Sequence, residues 1–587
     1  MEKAFRIVRV VVLGMMALGL TACEKLLEPK TEIKVPEYKI SDCAPGVATD
    51  KLRLGIPSAP LTLNPVLARD RVSRFLAGQL TATLYRFNPV TLDFEPHLAT
   101  RFNREPDGKT FTIHLRPNLT FSDGRTPFTA EDVLATLKYI TNTKISSSLT
   151  AYLSYYKGRL EFSKIDDYTI LCKAPESMIA FEPVLARIPV LCERQIREAE
   201  NAPESLLSLQ TVKPDTFLGL GPFVLKQLEA EKIVLGRNPH YWVQDVVGRK
   251  LPYTEELQFT VTPNSAEMES ALETESIDIV DNMDPVKWAQ LKKVGEFAMF
   301  PSSEAEATPS CLQYLLWFNQ SVKESGDSEE RMIHSSWLKQ PAFRTAFFIA
   351  LNRAESLGEA KGKVEISNWF LPDCYADYND PAPRPEPNPA EARRVLTDKT
   401  IFRLTGAEGS YKLEDSEGNA VAIKLAVVQG DLTAKTLGTE LVKTFKSLGI
   451  GATVMELSFA ELMQKFATAD YDVVLLPVDT IAHPYFLREV FSSMSYGRPY
   501  APEANAQPDP VQKALNDALD RLYQSPGYDV RCAAARDAQA LALKGGFAVS
   551  LVRPRTFFGA QKTLQNLRSG PAVTTLLWNL EEIFKKK

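Results

Sequence analysis

The sequence predicts a mixed α/β fold that is divided into more than one domain. Strand-like stretches bounded by turn residues or charges recur along the chain, and helical apolar patterns lie between them. The chain has 587 residues, whereas a single hydrophobic core stops growing near about 250–300 residues, so we expect the chain to divide. After the first 39 residues, the sequence has no second long apolar run, low-complexity tract or short-period repeat.

The N-terminal segment predicts export from the cytoplasm. Three basic residues among the first nine precede an uncharged, mainly apolar run at residues 10–20. This run is too short for a permanent transmembrane helix, which needs about 20 residues to cross a bilayer core of roughly 30 Å. We therefore expect residues 1–22 to be a signal peptide that is removed.

Residues 20–23 resemble the bacterial lipobox, which is cut before a cysteine that then carries lipid. Cys23 is the expected lipidation site, and several acyl chains together anchor a protein firmly where one chain binds reversibly. Residues 23–49 would then form the lipidated cysteine and a tether. The alternative is an ordinary signal peptide with an incidental cysteine. We expect an extracytoplasmic protein, in the periplasm or at the cell surface, that meets the membrane only through this anchor.

The net charge and the cysteine content limit the partners and the disulfides that the chain is expected to have. The formal net charge is −5, and the only block of like charge is the terminal run of lysines, so nucleic acid is not an expected partner. Six cysteines remain besides Cys23, and none forms a CxxC pair. An oxidising compartment permits a disulfide between Cys172 and Cys192 or between Cys311 and Cys374, and buried thiols are the alternative.

Several elements can be placed in chain order. Thr129 is the expected N-cap of a helix, because its hydroxyl can accept a bond from a first-turn amide while Glu131 and Asp132 complement the helix dipole. A second helix is predicted at residues 341–353, and the proline-rich stretch 371–389 predicts an irregular surface connection. Strands are predicted at residues 52–56, 110–115, 233–235, 257–261, 423–428 and 473–476.

Several of these segments, in order, resemble bacterial extracellular solute-binding proteins of family 5, the oligopeptide, dipeptide and nickel binders of ABC importers. The most specific stretch is residues 106–133, and residues 219–223 and 234–242 are similar to a strand pair of the family. Gly236 departs from that pattern, since the position is usually acidic. Further matches are residues 271–279, 343–353, 388–392, 448–450 and 470–473. We interpret residues 122–124 and 238–242 as fold elements.

The resemblance implies a two-lobed periplasmic-binding-protein type II fold with an extra domain inserted in lobe one. Ligand would lie between the lobes, and binding would close the hinge between them. The implied boundaries are residues 50–85 for the first part of lobe one, 86–217 for the extra domain, 218–307 for the second part of lobe one, 308–542 for lobe two and 543–587 for the C-terminal part of lobe one.

The resemblance also implies a function. Such a protein captures a small peptide by hinge closure, delivers it to the permease subunits of an ABC transporter, and works as a monomer. The alternatives are the same fold binding a sugar, haem or a nickel chelate, or acting as a ligand sensor. A surface hydrolase is the other class, but the sequence has no HExxH, GxSxG or phosphate-loop motif, and its five histidines are scattered. We expect no catalytic residue, cofactor or metal site.

One predicted ligand-binding segment departs from the family pattern. Peptide-binding relatives pair the peptide's amino terminus with an aspartate in a Trp-x-x-Asp-Tyr segment just before a proline. Counting back from Pro484 puts Thr480 at the aspartate position and Asp479 one residue out of register. One residue reverses the side-chain direction in an extended strand, so Asp479 serves only if the local backbone differs. His483 and Tyr485 are further candidate ligand contacts.

A second predicted ligand-binding segment is formed by Arg69, Asp70 and Arg71, in the loop after the first strand. The resemblance places these residues where peptide-binding relatives contact the ligand backbone. Two arginines there suit a carboxylate or another anion. The alternative is a solvated loop.

Overall fold

The computed structural model describes most of the chain between residues 44 and 586. The positions left out within this range are 143, 146, 156–157, 200–215, 282, 303–310, 321–328, 353, 361–362, 382–385, 399, 469, 479–482, 494–509, 571 and 574. The predicted signal peptide, Cys23 and the tether up to residue 43 lie outside the described residues, as do Asp479 and Thr480. Within the described part, no helix has the length and apolar content needed to cross a membrane.

Seven strands form the first large sheet, and a parallel pair lies at its centre. Thr49–Ile56 runs parallel to Thr254–Val261, and Leu54 lies opposite Phe259. Leu52 and Leu54 are almost fully buried, because alternate side chains of a strand point to one face and this face packs on the core. The spatial order of the strands is Phe223–Leu228, Lys232–Arg237, Thr254–Val261, Thr49–Ile56, Ile279–Val280, Phe558–Gln561 and Phe297–Phe300.

Six strands form the second large sheet. Its strand Gln313–Phe318 is buried along its whole length and pairs antiparallel with two neighbours, Val473–Val478 and Ala548–Pro554. A continuous apolar strand of this kind is typical of a sheet that is covered on both faces. The spatial order is Val364–Ile366, Ala548–Pro554, Gln313–Phe318, Val473–Val478, Ala422–Val428 and Gly451–Leu457.

A smaller antiparallel sheet has the order Ala99–Arg104, Thr110–Leu115, Thr169–Lys173 and Glu161–Asp166. In chain order it lies between two strands of the seven-stranded sheet. We call the seven-stranded sheet with its helices lobe one, the six-stranded sheet with its helices lobe two, and the four-stranded insertion the extra domain. A short ladder between Ala82–Thr83 and Pro189–Val190 joins the two ends of this insertion.

Helices and short ladders complete the described residues. The α-helices are Arg71–Leu80, Ala130–Ile140, Thr150–Leu153, Glu182–Leu185, Glu193–Glu198, Ser265–Glu273, Pro285–Val294, Glu329–Leu338, Pro341–Ala350, Pro389–Thr397, Leu432–Ser447, Phe459–Ala467, Leu487–Phe491, Pro510–Gln524 and Tyr528–Lys544. The 3₁₀ helices are Glu355–Ala360, Asp373–Tyr378, Pro484–Phe486 and Leu576–Glu582. The remaining two-stranded ladders pair Tyr85–Phe87 with Phe94–Pro96, Ser154–Tyr155 with Gly158–Arg159, Arg403–Thr405 with Lys412–Glu414, and Leu564–Gln565 with Phe584–Lys585.

The chain passes between the two large sheets twice. It leaves lobe one after Phe297–Phe300 and enters the lobe-two sheet at Gln313–Phe318. It returns between Ala548–Pro554, which pairs in lobe two, and Phe558–Gln561, which pairs in lobe one. The predicted start of the C-terminal part of lobe one at residue 543 therefore precedes this return by one strand, because strand Ala548–Pro554 extends the lobe-two sheet.

Local sequence signals correspond closely to the elements. Thr129 caps the helix Ala130–Ile140 as predicted: its hydroxyl accepts from the amide of Glu131 at 3.3 Å, and Asp132 accepts from the amide of Thr129 at 2.9 Å. The predicted irregular stretch 371–389 was only partly correct, since it contains the 3₁₀ helix Asp373–Tyr378.

The segment predicted to be a fold element at residues 238–242 packs inside lobe one. Asn238 is buried, and its Nδ2 donates to the carbonyl of Gly221 at 2.8 Å. Gly221 in turn lies against the end of the helix Arg71–Leu80, where an added Cβ would lie 2.4 Å from the carbonyl oxygen of Gln79. This close approach explains why a glycine stands at position 221.

Candidate ligand-binding region

Four predicted site residues stand close together in the sequence, between positions 479 and 485. Asp479 and Thr480 fall outside the described residues. His483 is the N-cap residue of the 3₁₀ helix Pro484–Phe486, and its Nδ1 accepts a hydrogen bond from the amide of Tyr485 at 3.4 Å. Because Nδ1 accepts, the proton of the neutral ring is on Nε2.

Aromatic rings from different parts of the chain meet at His483. Its ring centroid lies 4.9 Å from that of Phe94, 5.4 Å from Phe87, 5.0 Å from Tyr375 and 5.1 Å from Tyr485. The hairpin that holds Phe87 and Phe94 opens the segment inserted in lobe one, whereas the other three residues belong to lobe two. We call this set, together with Phe486, the aromatic cluster. The cluster therefore joins the segment inserted in lobe one to lobe two.

Burial keeps His483 uncharged. Desolvation, with a smaller contribution from the positive charge of Arg187, lowers the pKa of His483 to about 3. The side chain is 8% exposed. At neutral pH the ring therefore serves as a cap and a packing surface rather than as a cation for an anionic ligand. Burial also raises the pKa of Tyr485, whose carbonyl accepts from the hydroxyl of Tyr523 at 2.9 Å.

Two tyrosine hydroxyls near this interface are buried without a hydrogen-bond partner in the described part of the chain. They belong to Tyr375 of lobe two, which is 8% exposed, and Tyr155 of the extra domain, which is 4% exposed. Burying a hydroxyl without a partner costs free energy, so each favours contact with a ligand or a water molecule. Neither residue was predicted from the sequence as a ligand contact, and Tyr375 lies in the stretch that was predicted to be a surface connection.

The arginine-containing segment lies at the start of a lobe-one helix, and its acidic member has a structural role. Asp70 is the N-cap of the helix Arg71–Leu80, and its Oδ1 accepts from the amide of Ser73 at 2.8 Å. Arg71 is therefore the first helical residue rather than a loop residue, and it forms an ion pair with Asp281 at 3.6 Å. Burial lowers the pKa of Arg69.

Contacts connect the two predicted segments through the extra domain. The hydroxyl of Ser147 donates to the carbonyl of Val66, in the loop before Arg69, at 2.7 Å. The next residue, Ser148, donates to Glu489 of lobe two at 3.0 Å. The loop of lobe one and the segment that follows His483 therefore both contact the same turn of the extra domain.

The described cysteines do not form disulfides with one another. Cys172, Cys192, Cys311, Cys374 and Cys532 form no disulfide, so neither of the pairings considered from the sequence is present. Among the residues that the structure describes, no group of three or more histidine, cysteine, aspartate or glutamate side chains could hold a metal ion.

The two linked lobes, the inserted domain and the aromatic cluster between them define the class of protein, a type II periplasmic binding protein. Residues 93–496 match the family of bacterial extracellular solute-binding proteins, family 5. The chain belongs to this family, whose members are the substrate-binding proteins of ABC transporters. The predicted fold class is thus confirmed.

Individual relatives are distant but extend along most of the chain. A probable ABC transporter-binding protein of Deinococcus radiodurans is 22% identical, and the match covers 71% of each chain. The periplasmic binding protein MelB of Agrobacterium fabrum, solved with stachyose, has a TM-score of 0.74 at 19% identity and covers 92% of this chain and 86% of its own. The oligopeptide-binding protein AppA of Bacillus subtilis, solved with a nonapeptide, has a TM-score of 0.71 at 17% identity, with coverage of 92% and 100%.

Proposed function

We propose that this chain is a lipid-anchored binding protein that captures peptides between its lobes and delivers them to an ABC transporter permease. The observation that carries the proposal is the aromatic cluster, where His483 of lobe two packs against Phe87 and Phe94 and is itself flanked by Tyr375. A ligand beside this cluster contacts both sides only in the closed form. Binding therefore shifts the population toward closure.

Peptide chemistry fits the polar groups near this interface. An extended peptide presents main-chain carbonyls that need donors, and the buried hydroxyls of Tyr375 and Tyr155 are suitable donors. We propose that Asp479 or Thr480 meets the amino terminus and that Arg69 and Arg71 favour a carboxylate or other anionic group. AppA, which shares the fold, was solved with a nonapeptide.

An oligosaccharide is the second candidate ligand. The rings of the aromatic cluster offer apolar faces, on which the C–H face of a sugar can stack while its hydroxyls bond to polar groups. MelB, which shares the fold with a TM-score of 0.74, was solved with stachyose. This candidate differs from a peptide because a sugar needs neither a carboxylate nor an arginine partner.

Thermal denaturation of the chain without residues 1–23 tests the two ligands directly. The probes are a set of tripeptides to nonapeptides of varied sequence, and stachyose. A ligand at 100 times its dissociation constant adds about 2.7 kcal/mol to the free energy of unfolding, which is a readily measured rise in midpoint. We expect a rise with some peptides. A rise with stachyose alone favours the second candidate, and no rise with either class contradicts both.

The variant Asp479→Ala tests the proposed amine contact. If the carboxylate of Asp479 pairs with the peptide's amino terminus, the variant binds free peptides more weakly, whereas N-acetylated peptides bind the variant and the wild type alike. The acetylated peptide is the matched control, because it lacks the charge that the carboxylate would meet. Equal affinity of variant and wild type for the free peptide would remove Asp479 from the site.

A further inference from the structure

A buried arginine of lobe two reaches into the extra domain. Arg488 is 1% exposed, and its Nε donates to the carbonyl of Ala151 at 2.5 Å while Nη2 donates to the carbonyl of Ser154 at 2.7 Å. Its Nη1 pairs with Asp520 of lobe two at 2.5 Å. The guanidinium therefore bonds to both sides of the interface, and its charge is neutralised within lobe two.

The adjacent residue carries the opposite charge and also contacts the extra domain. Glu489 is 8% exposed, and its carboxylate accepts from the hydroxyls of Ser148 and Tyr152, each at 3.0 Å. Arg187 forms an ion pair with the same carboxylate at 3.5 Å. All three partners belong to the extra domain, so these three contacts of the carboxylate cross the interface.

Ring and main-chain contacts surround these charges. The guanidinium of Arg187 lies over the ring of Phe486, 3.7 Å from its centroid. The amides of Ile179 and Ala180 donate to the carbonyl of Tyr523, at 2.8 and 3.1 Å. Main-chain bonds of this kind fix the relative position of two segments, because neither partner can rotate away as a side chain does.

The two sides are attached to different lobes. The segment with Arg488 and Glu489 packs on lobe two, since the ring of Phe491 lies 6.2 Å from that of Trp317 and 4.7 Å from that of Phe370. The extra domain is inserted in the chain of lobe one. An opening of the hinge that separates lobe two from lobe one and the extra domain must therefore break these contacts.

We propose that Arg488 and Glu489 form an interlobe latch that holds the protein closed in the absence of ligand. The latch is defined as these two residues with their extra-domain partners, Ser148, Ala151, Tyr152, Ser154 and Arg187. This inference rests on one part of the proposed function, namely that the two lobes open and close. A protein already biased toward closure binds its ligand more tightly, because less of the binding free energy is spent on closing.

Removing donors from the extra-domain side weakens the latch selectively. In the double variant Ser148→Ala/Tyr152→Phe, Glu489 loses two donors in the closed form but is hydrated in the open form. Charged hydrogen bonds are strong enough that losing one shifts an equilibrium roughly tenfold or more, so we expect the double variant to open. The side chains removed are single hydroxyls, so the packing of the extra domain changes little.

Small-angle X-ray scattering of protein refolded without ligand measures the outcome. We expect a radius of gyration of about 24 Å for the compact wild-type chain without residues 1–22, and a measurably larger value for the double variant. Circular dichroism checks that each protein is folded, and Glu489→Gln replaces the double variant if that one does not fold. The matched control is Arg394→Met, which removes an exposed ion pair with Glu391 within one helix and should scatter as wild type.

Two results would overturn the latch. One is a wild-type chain whose radius of gyration is already expanded in the absence of ligand. The other is a radius of gyration that is equal in the wild type, the double variant and Glu489→Gln. Neither depends on the ligand class, so a failure of peptides to bind leaves this test intact and counts only against the proposed function.

Discussion

Acid should destabilise this protein through its buried histidines, and His483 allows the effect to be measured. The pKa of His483 is lowered from 6.5 to about 3 in the folded chain by burial and by Arg187. As pH falls below 6.5, the unfolded chain takes up a proton that the folded chain does not. The contribution of the uncharged His483 to the free energy of unfolding is therefore fully present above pH 6.5. It is lost as the pH falls from 6.5 to 3.

The magnitude follows from the two pKa values. Between pH 7 and pH 5, a histidine with a pKa of 6.5 unfolded and about 3 folded lowers the free energy of unfolding by about 2 kcal/mol. His97 is also buried, and burial with the charges of Arg86 and Arg116 lowers its pKa to about 3 as well. Together, His483 and His97 should lower the free energy of unfolding by about 4 kcal/mol between pH 7 and pH 5.

Urea denaturation of the wild type and of His483→Phe, each at pH 7 and pH 5, isolates the contribution of His483. Phenylalanine fills a similar volume, and the loss of the cap to Tyr485 is the same at both pH values and cancels. We expect the variant to lose about 2 kcal/mol less than the wild type on acidification. The control is His240→Asn, which removes an exposed histidine and leaves both buried rings in place. An equal loss in wild type and His483→Phe would refute the reasoning.

Three further substitutions test separate parts of the account. Asp70→Ala removes the acceptor for the amide of Ser73 and should lower the free energy of unfolding by about 1 kcal/mol in urea denaturation, whereas an unchanged value would exclude a capping role. Gly221→Ala places a Cβ 2.4 Å from the carbonyl oxygen of Gln79, and the forced shift should cost about 1–3 kcal/mol; an unchanged thermal midpoint contradicts this. Cys23→Ser should move the protein from the membrane fraction to the soluble fraction, and a variant that still sediments with membranes would exclude the lipid anchor.

Local signals predicted much of the fold. The strand predicted at residues 110–115 has the observed bounds Thr110–Leu115, and the helix predicted from residue 341 begins there and ends at Ala350. Periodicity and capping act between residues close in the chain, so a single sequence carries them. The return to lobe one was placed too early because the pairing of Ala548–Pro554 with Gln313–Phe318 joins distant segments.

The site was less predictable, because its geometry depends on tertiary contacts. Counting back from Pro484 identified the segment, but the buried, neutral state of His483 follows from the rings of Phe87 and Phe94, which lie far away in the sequence. Tyr375 carried no signal at all. Its hydroxyl is notable only because folding buries it without a partner among the described residues.

The latch was equally hidden in the sequence. Arg488 and Glu489 look like an ordinary pair of surface charges beside an apolar stretch. Only the fold shows that both side chains are buried, and that each has partners in an insertion in the other lobe. Charged residues that are almost fully buried are uncommon, and here each has several partners.

If the two lobes enclose a small ligand, native mass spectrometry of protein purified without unfolding detects the complex. We expect a population heavier than the mature lipid-free chain by the mass of a small peptide, which is released on denaturation and can be sequenced. A single population at the mass of the bare chain, unchanged after incubation with peptides or stachyose, would contradict it.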